Sequence, residues 1–160
     1  MVTQVPHRTS GVQRVGNAVV LGLLRSPLHR LLSGRLLAIS VIGRRTGRRY
    51  TIPVGYAEHG ADLLIGTAGT WCRNLRPGTP VEVRLRGRRR HYDPEVVREE
   101  PRAAELYRVI LRRNPVHGRF AHIRIAPDGG PDRDDLRRAL ADGVAVVRLR
   151  PLAGSMADGR

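Results

Sequence analysis

The sequence predicts a mainly β protein of the α+β class: a small antiparallel β-barrel with an N-terminal helix and two further helices. The continuous apolar run Leu36–Ile42 is typical of a buried strand. The segment Val81–Arg86 alternates apolar and charged residues, as a half-exposed strand does. Strand-like segments recur at short intervals between glycine and proline turns, which favours a barrel. A length of 160 residues corresponds to one domain.

Ser10 can cap a first helix that ends at about Arg25. Pro53 predicts that the second strand lies at a sheet edge or bulge, because proline lacks the N–H that a central strand needs. We expect loose tails at 1–9 and 152–160 around a single domain at 10–151. The predicted elements are strands at 36–42, 48–56, 62–66, 81–86, 88–92 and 143–150, a short helix at 71–76, helices at 101–113 and 132–141, and a loop at 114–128.

The chain is strongly basic. Its net charge is +15, and all 29 basic residues are arginine. The guanidinium group binds phosphate and carboxylate through a planar fork of donors, so an acidic ligand, a membrane surface and nucleic acid are the partner classes to weigh. With only six aromatic residues and no zinc-finger spacing, nucleic acid is the least favoured of these.

Cysteine usage and hydropathy bear on the compartment. Cys72 is the only cysteine, which excludes an intrachain disulfide and favours the cytoplasm. The apolar run Val15–Leu24 is shorter than the roughly 20 residues that span a bilayer. Arg25 follows it instead of a small-residue cleavage site. We expect no membrane span and no signal peptide, while contact of the N-terminal helix with a membrane surface stays open.

The segment Gly43–Arg48 is the strongest local motif. Its two glycines bracket a tight turn that can aim successive backbone N–H groups at one point, and its three arginines and one threonine add donors. Such a turn is suited to bind a phosphate. The alternative is a solvated hairpin turn whose charges serve solubility.

A second motif is the small-residue loop Thr67–Thr70, which Trp71 follows. Small residues let a flat ring approach the backbone closely, and Trp71 either stacks on that ring or belongs to the core. Other chemistries find no motif, because the chain has no phosphate-binding Walker loop and no nucleophile elbow. His117 and His122 are too isolated to predict a metal site.

These pieces together resemble the deazaflavin (F420)-dependent nitroreductase family, within the flavin-type split β-barrel enzymes. The resemblance covers residues 15 to 151 in the same order. Its turn motif is fairly specific when Thr-x-Pro and Trp-x-x-Asn-Leu follow it. The matching segments are 36–42, Gly-Arg-Arg-Thr-Gly-Arg-Arg-Tyr-Thr-Ile-Pro-Val at 43–54, Trp-Cys-Arg-Asn-Leu-Arg-Pro-Gly-Thr-Pro-Val-Glu-Val at 71–83, and Val-Ala-Val-Val-Arg-Leu-Arg-Pro at 144–151.

The resemblance implies a split barrel that transfers a hydride from reduced F420 to an electron-poor small molecule: a quinone, an enone or a nitroaromatic. It implies that the turn holds the phosphate and oligoglutamate tail of the cofactor, and that strand and loop residues line the deazaflavin ring. The residues carried over are Arg44, Arg45, Thr46, Gly47 and Arg48 for the tail, and Thr51, Pro53, Thr67, Ala68, Gly69, Thr70, Trp71 and Asn74 for the ring and its wall.

The chain departs from the family on the acceptor side. Asn114, His117 and Phe120 stand where the nitro-reducing members carry tyrosines. This puts activity on nitroimidazole-like substrates in doubt more than cofactor binding. Since histidine titrates near neutral pH, His117 is the candidate proton donor, with Tyr107 as the second candidate.

Three alternatives stay open. The first is the same barrel with flavin mononucleotide (FMN) or a tetrapyrrole as its ligand. The second is a carrier that binds the cofactor without catalysis. An arginine-rich membrane-surface or nucleic-acid binder is the third, and its affinity would fall steeply with salt. A homodimer also stays open, with the basic strand at 81–90 as a candidate contact.

Overall fold

A computed structural model describes residues 36–153 of the chain. These residues form seven β-strands, three α-helices and one 3-10 helix. In chain order they are β1 Leu36–Ile42, β2 Arg49–Gly55, β3 Ala57–His59, β4 Asp62–Thr67, the 3-10 helix Thr70–Asn74, β5 Val81–Leu85, β6 Arg88–Val97, α1 Glu100–Arg113, α2 Val116–Ala121, α3 Arg133–Ala141 and β7 Ala145–Pro151.

The seven strands form one antiparallel sheet in the order β2-β1-β5-β6-β7-β4-β3. Its two edge strands, β2 and β3, are consecutive in the chain, and only Tyr56 separates Gly55 from Ala57. Two residues so placed are at most about 7 Å apart. The sheet therefore has to curve until the end of β2 meets the start of β3, and it remains a half-barrel because the described strands form no ladder between its two edges.

Each face of the curved sheet packs its own core. Alternate residues of a strand point to opposite faces. In β4, Leu63 and Ile65 join the cluster inside the curve, while Leu64 joins the cluster under the helices. Tyr107 and Leu111 of α1 are fully buried in that outer cluster. The helices thus cover the outer face of β4, and α1 and α2 lie against this strand.

The mainly β antiparallel prediction is confirmed, and β1 has the predicted bounds. Pro53 does lie on an edge strand, since β2 pairs only with β1 among the described strands. The predicted N-terminal helix and the tail at 1–9 lie outside the described residues, as does the chain beyond residue 153.

Several predictions are corrected. The sheet has seven strands, because Ala57–His59 forms a strand of its own after the turn of direction at Tyr56. Strand β6 continues past Tyr92 to Val97. Pro94 is tolerated there because it lies beyond the part paired with β5 and pairs only with β7.

The described residues also contain three α-helices rather than two. The segment predicted as a loop at 114–128 holds the short helix α2, so His117 lies on a helix. Within residues 36–153, no helix is long and apolar enough to cross a membrane.

Asp135 connects α3 to the segment before it. Its side chain is 4% exposed and accepts hydrogen bonds from the Arg124 backbone N–H at 3.1 Å, from Arg124 Nε at 2.7 Å and from Arg138 Nη2 at 2.8 Å. The hydrogen bond from the Arg124 side chain is the main reason that the pKa of Asp135 lies well below its usual value. This carboxylate stabilises the fold at neutral pH, and the stabilisation is lost as acid protonates it.

We expect Asp135→Ala to lower the free energy of unfolding, because it takes this acceptor away from the Arg124 backbone N–H and from the guanidinium groups of Arg124 and Arg138. Asp134→Ala is the matched control, since the Asp134 side chain is 83% exposed and pairs only with Arg137 on the surface. Urea denaturation at pH 7 measures both variants. Equal midpoints would contradict a structural role for Asp135.

Candidate functional site

The arginine turn joins β1 to β2. The Gly43 N–H donates to the Arg48 carbonyl at 2.8 Å, and the Gly47 N–H donates to the Gly43 carbonyl at 2.8 Å. Gly47 has φ +63°, in the left-handed region that favours glycine. The two glycines therefore close the turn and leave its arginines exposed. Within residues 36–153, Arg44, Arg45 and Arg48 have no carboxylate partner.

The backbone of the turn is partly committed. The Arg44 N–H donates to Asn74 Oδ1 at 3.1 Å, and the Arg48 N–H donates to Thr46 Oγ1 at 3.3 Å. The turn therefore presents an anion mainly with guanidinium groups, rather than with the full row of N–H groups that the sequence suggested. The Asn74 contact also joins the turn to the 3-10 helix, so these two predicted parts of the site are neighbours.

The barrel is open between β2 and β4. Strand β3 covers β4 only over Asp62–Leu64, although β4 continues to Thr67. Strand β4 also lies in contact with β2, but the described strands form no ladder between them. Within residues 36–153, no strand pairs with these two facing edges beyond Leu64, so the slot that they border can take a flat polar ring through backbone N–H and C=O groups.

The loop after β4 is held by Thr67. Its Oγ1 accepts hydrogen bonds from the Gly69 N–H at 2.9 Å and from Trp71 Nε1 at 3.1 Å. A Cβ on Gly69 would lie 2.5 Å from the Trp71 ring, so only glycine fits. Trp71 packs against the inner core, as one of its two interpretations predicted. Cys72 is 2% exposed and donates to the Gly69 carbonyl at 3.2 Å, as expected for an inert buried thiol.

Thr51 and Pro53 lie on the outer face of β2, since the alternating residues Ile52 and Val54 pack on the inner core. Thr51 Oγ1 lies 3.2 Å from the hydroxyl of Ser40 on β1. Ser40 is a residue that the sequence analysis missed, because it is hidden within an apolar strand. It becomes a neighbour of the candidate site only through the β1–β2 pairing.

Tyr107 and His117 form a pair against β4. The Tyr107 hydroxyl lies 3.1 Å from His117 Nε2, and the ring centroids are 5.7 Å apart. Gly66 makes room for the pair, because a Cβ at Gly66 would overlap His117 Nε2 and lie 2.9 Å from the Tyr107 hydroxyl. Both candidate proton donors therefore contact β4 at Gly66, the residue that precedes Thr67.

The pair is uncharged at neutral pH. Burial lowers the pKa of His117 below its usual 6.5 and raises the pKa of Tyr107 well above its usual 10.0. The phenol keeps its proton, and the imidazole carries one of its two. Which of Tyr107 and His117 donates in their hydrogen bond depends on the imidazole tautomer.

The predicted acceptor-side residues do not converge on one enclosed pocket. His117 faces inward, and its backbone N–H donates to the Asn114 carbonyl at 3.0 Å. Asn114 is half-buried at the end of α1. Phe120 is 81% exposed and points to solvent from α2.

These residues fit a ligand with a flat polar ring at one end and an anion at the other. The slot between β2 and β4 offers backbone groups to the ring, and the Thr67 loop lies at the end of β4 beside it. The exposed arginines of the turn lie next to the same loop through the Arg44–Asn74 contact. A deazaflavin with a phosphate and an acidic tail has this chemistry.

A family model described as F420H(2)-dependent quinone reductase matches residues 25–122. The chain belongs to the F420H(2)-dependent quinone reductase family. The family is one of deazaflavin-dependent oxidoreductases, so the resemblance to F420-dependent split-barrel enzymes is confirmed. The matched residues include the arginine turn, the Thr67 loop and the Tyr107–His117 pair. Comparison with curated protein sequences gives no match.

Solved structures support the fold. A putative 5-nitroimidazole antibiotic resistance protein from Bacteroides thetaiotaomicron aligns with TM-score 0.53 and 9% identity over 78% of each chain. An F420-H2 dependent reductase, FDR-A, aligns with TM-score 0.50 and 10% identity over 72% of this chain and 94% of its own. At such low identity these structures bear on the half-barrel architecture alone.

Gly66→Ala should disturb the Tyr107–His117 pair and lower the free energy of unfolding by about 1–3 kcal/mol, the usual cost of overpacking. It should also move the His117 pKa, which proton NMR of the imidazole ring reports. In a His117→Ala background the same substitution should cost less, because the main clash is gone. An equal cost in both backgrounds would show that the pair does not need glycine at this position.

Proposed function

We propose that the protein is an F420H2-dependent reductase that transfers a hydride from the reduced deazaflavin to an electron-poor acceptor, with a quinone as the first candidate. The observation that carries the proposal is the position of three features inside the matched residues 25–122. These are the arginine turn, the Thr67 loop beside the open slot, and the neutral pair behind Gly66.

The proposed binding residues divide by charge. The phosphate and tail would contact the turn residues, and the ring would lie in the slot. When bound, the reduced deazaflavin supplies the hydride. The residues proposed are Arg44, Arg45, Thr46, Gly47 and Arg48 at the anionic end, and Thr51, Pro53, Thr67, Ala68, Gly69, Thr70, Trp71 and Asn74 around the ring.

The acceptor gains negative charge as it takes the hydride, so it needs a proton. His117 is the proposed donor, with Tyr107 behind it as a hydrogen-bond partner at 3.1 Å. Because burial lowers the His117 pKa, the imidazolium is a minor species at pH 7. Tyr107 keeps its phenol proton and is the second candidate.

An acceptor screen with F420H2 tests the proposal. A naphthoquinone, cyclohexenone and nitrobenzene represent the three acceptor classes. Turnover is measured as the rate at which each acceptor oxidises F420H2. Binding of F420 with no acceptor-dependent oxidation would indicate a carrier instead of an enzyme. Parallel titration with FMN tests the other alternative. Tighter binding of FMN than of F420 would indicate that this barrel uses FMN as its cofactor.

Arg45→Ala should weaken F420 binding about 10- to 100-fold, because a charge-assisted hydrogen bond contributes about 1.5–3 kcal/mol. Fluorescence titration measures the dissociation constant. Arg133→Ala is the control, as an exposed arginine on α3 with no carboxylate partner in the described residues. If Arg45→Ala binds F420 as tightly as the control does, the phosphate is held elsewhere.

If the His117 imidazolium is the donor, turnover should rise as the pH falls below about 6.5, because burial places the His117 pKa below that usual value. His117→Phe should lower turnover and flatten this profile. Initial rates at saturating quinone measure both effects. An unchanged rate and pH profile in His117→Phe would exclude His117 as the donor.

A further inference from the structure

A cleft of about 490 Å³ lies beside the arginine turn and is not part of the slot described above. Three elements bring arginines to it: Arg44 from the turn, Arg73 from the 3-10 helix and Arg98 from the chain just after β6. Between them the lining includes the apolar side chains of Leu75, Pro77 and Val96. No sequence motif contains Arg98.

The three arginines are exposed and lack acidic partners. None of them pairs with a carboxylate in the part of the chain that the structure describes, and no Asp or Glu lines the cleft. Other arginines do pair, as Arg148 does with Asp62 at 2.6 Å. Three like charges that share one cleft repel each other, and an anion bound among them would remove that cost.

The arginines are attached to well-packed elements. The Arg44 backbone is held by Asn74 at 3.1 Å, which brings it to the 3-10 helix that carries Arg73. Arg98 Nη2 donates to Cys72 Sγ at 3.5 Å. A thiol sulfur is a weak acceptor, so the guanidinium of Arg98 keeps most of its donor capacity for a ligand.

We propose that Arg44, Arg73 and Arg98 form a binding site for a flexible chain that carries two or more carboxylates. The apolar lining suits the methylene groups of such a chain, and the three guanidinium groups suit its carboxylates. The ligand is either the acidic tail of the cofactor, which rests on the proposed function, or a free polycarboxylate, which does not. Arg73 and Arg98 would then be binding residues additional to the turn.

Tetraglutamate peptide is the first probe, because its binding does not depend on the deazaflavin. Isothermal titration at low and moderate salt compares the wild type with Arg73→Gln/Arg98→Gln, which leaves the turn intact. Arg112→Gln/Arg133→Gln is the matched control: it removes the same charge from two exposed arginines that have no carboxylate partner in residues 36–153.

We expect saturable binding to the wild type, at least about tenfold weaker binding to the Arg73/Arg98 variant, and wild-type binding to the control. Absence of binding to the wild type, or equal losses in the two double variants, would overturn the proposal. The second of these results would mean that the peptide senses only net charge.

Titration with F420 and with the deazaflavin lacking phosphate and tail separates the two sources. If the Arg73/Arg98 variant binds F420 more weakly than the wild type does but binds the truncated deazaflavin equally well, the cofactor tail is supported as the ligand. Unchanged F420 binding with lost peptide binding supports a free polycarboxylate. If the wild type binds neither deazaflavin but binds the peptide through Arg73 and Arg98, the proposed function fails and the anion site stands.

Discussion

The arrangement of the site depends on one constraint, the single residue between the two edge strands. Because Tyr56 alone joins β2 to β3, the two ends of a seven-stranded sheet have to meet. The meeting is incomplete, since β3 is three residues long and β4 runs on beyond it. That mismatch in length leaves the slot between β2 and β4, with the Thr67 loop beside it at the end of β4.

Charge separates the two ends of the site. The turn and the neighbouring cleft present arginines without acidic partners in the described residues, while the pair behind Gly66 is uncharged, with Tyr107 buried and His117 half-buried. Exposed guanidinium groups attract an anion from solution without a large desolvation cost. Tyr107 instead lies in the apolar cluster under the helices, with His117 against it. The two ends of the candidate site therefore differ in charge and in exposure.

The residues that match the F420H(2)-dependent quinone reductase family, 25–122, include both the arginine turn and the Tyr107–His117 pair. Of Asn114, His117 and Phe120, only His117 turns inward to contact Tyr107. The exposure of Phe120 shows that positions aligned by sequence do not all contribute to one pocket. The acceptor specificity of this chain therefore has to be worked out from its own residues.

The sequence by itself determined the β class, the first strand, the edge position of Pro53 and the family, because hydrophobic period, proline chemistry and a contiguous turn motif are local properties. Only the tertiary structure decided that Tyr107, His117 and Gly66 touch, and that Arg73 and Arg98 share a cleft with Arg44. These contacts join segments that are far apart in the chain. They depend on how the sheet curves and where the helices pack, and no local pattern in a single sequence encodes that.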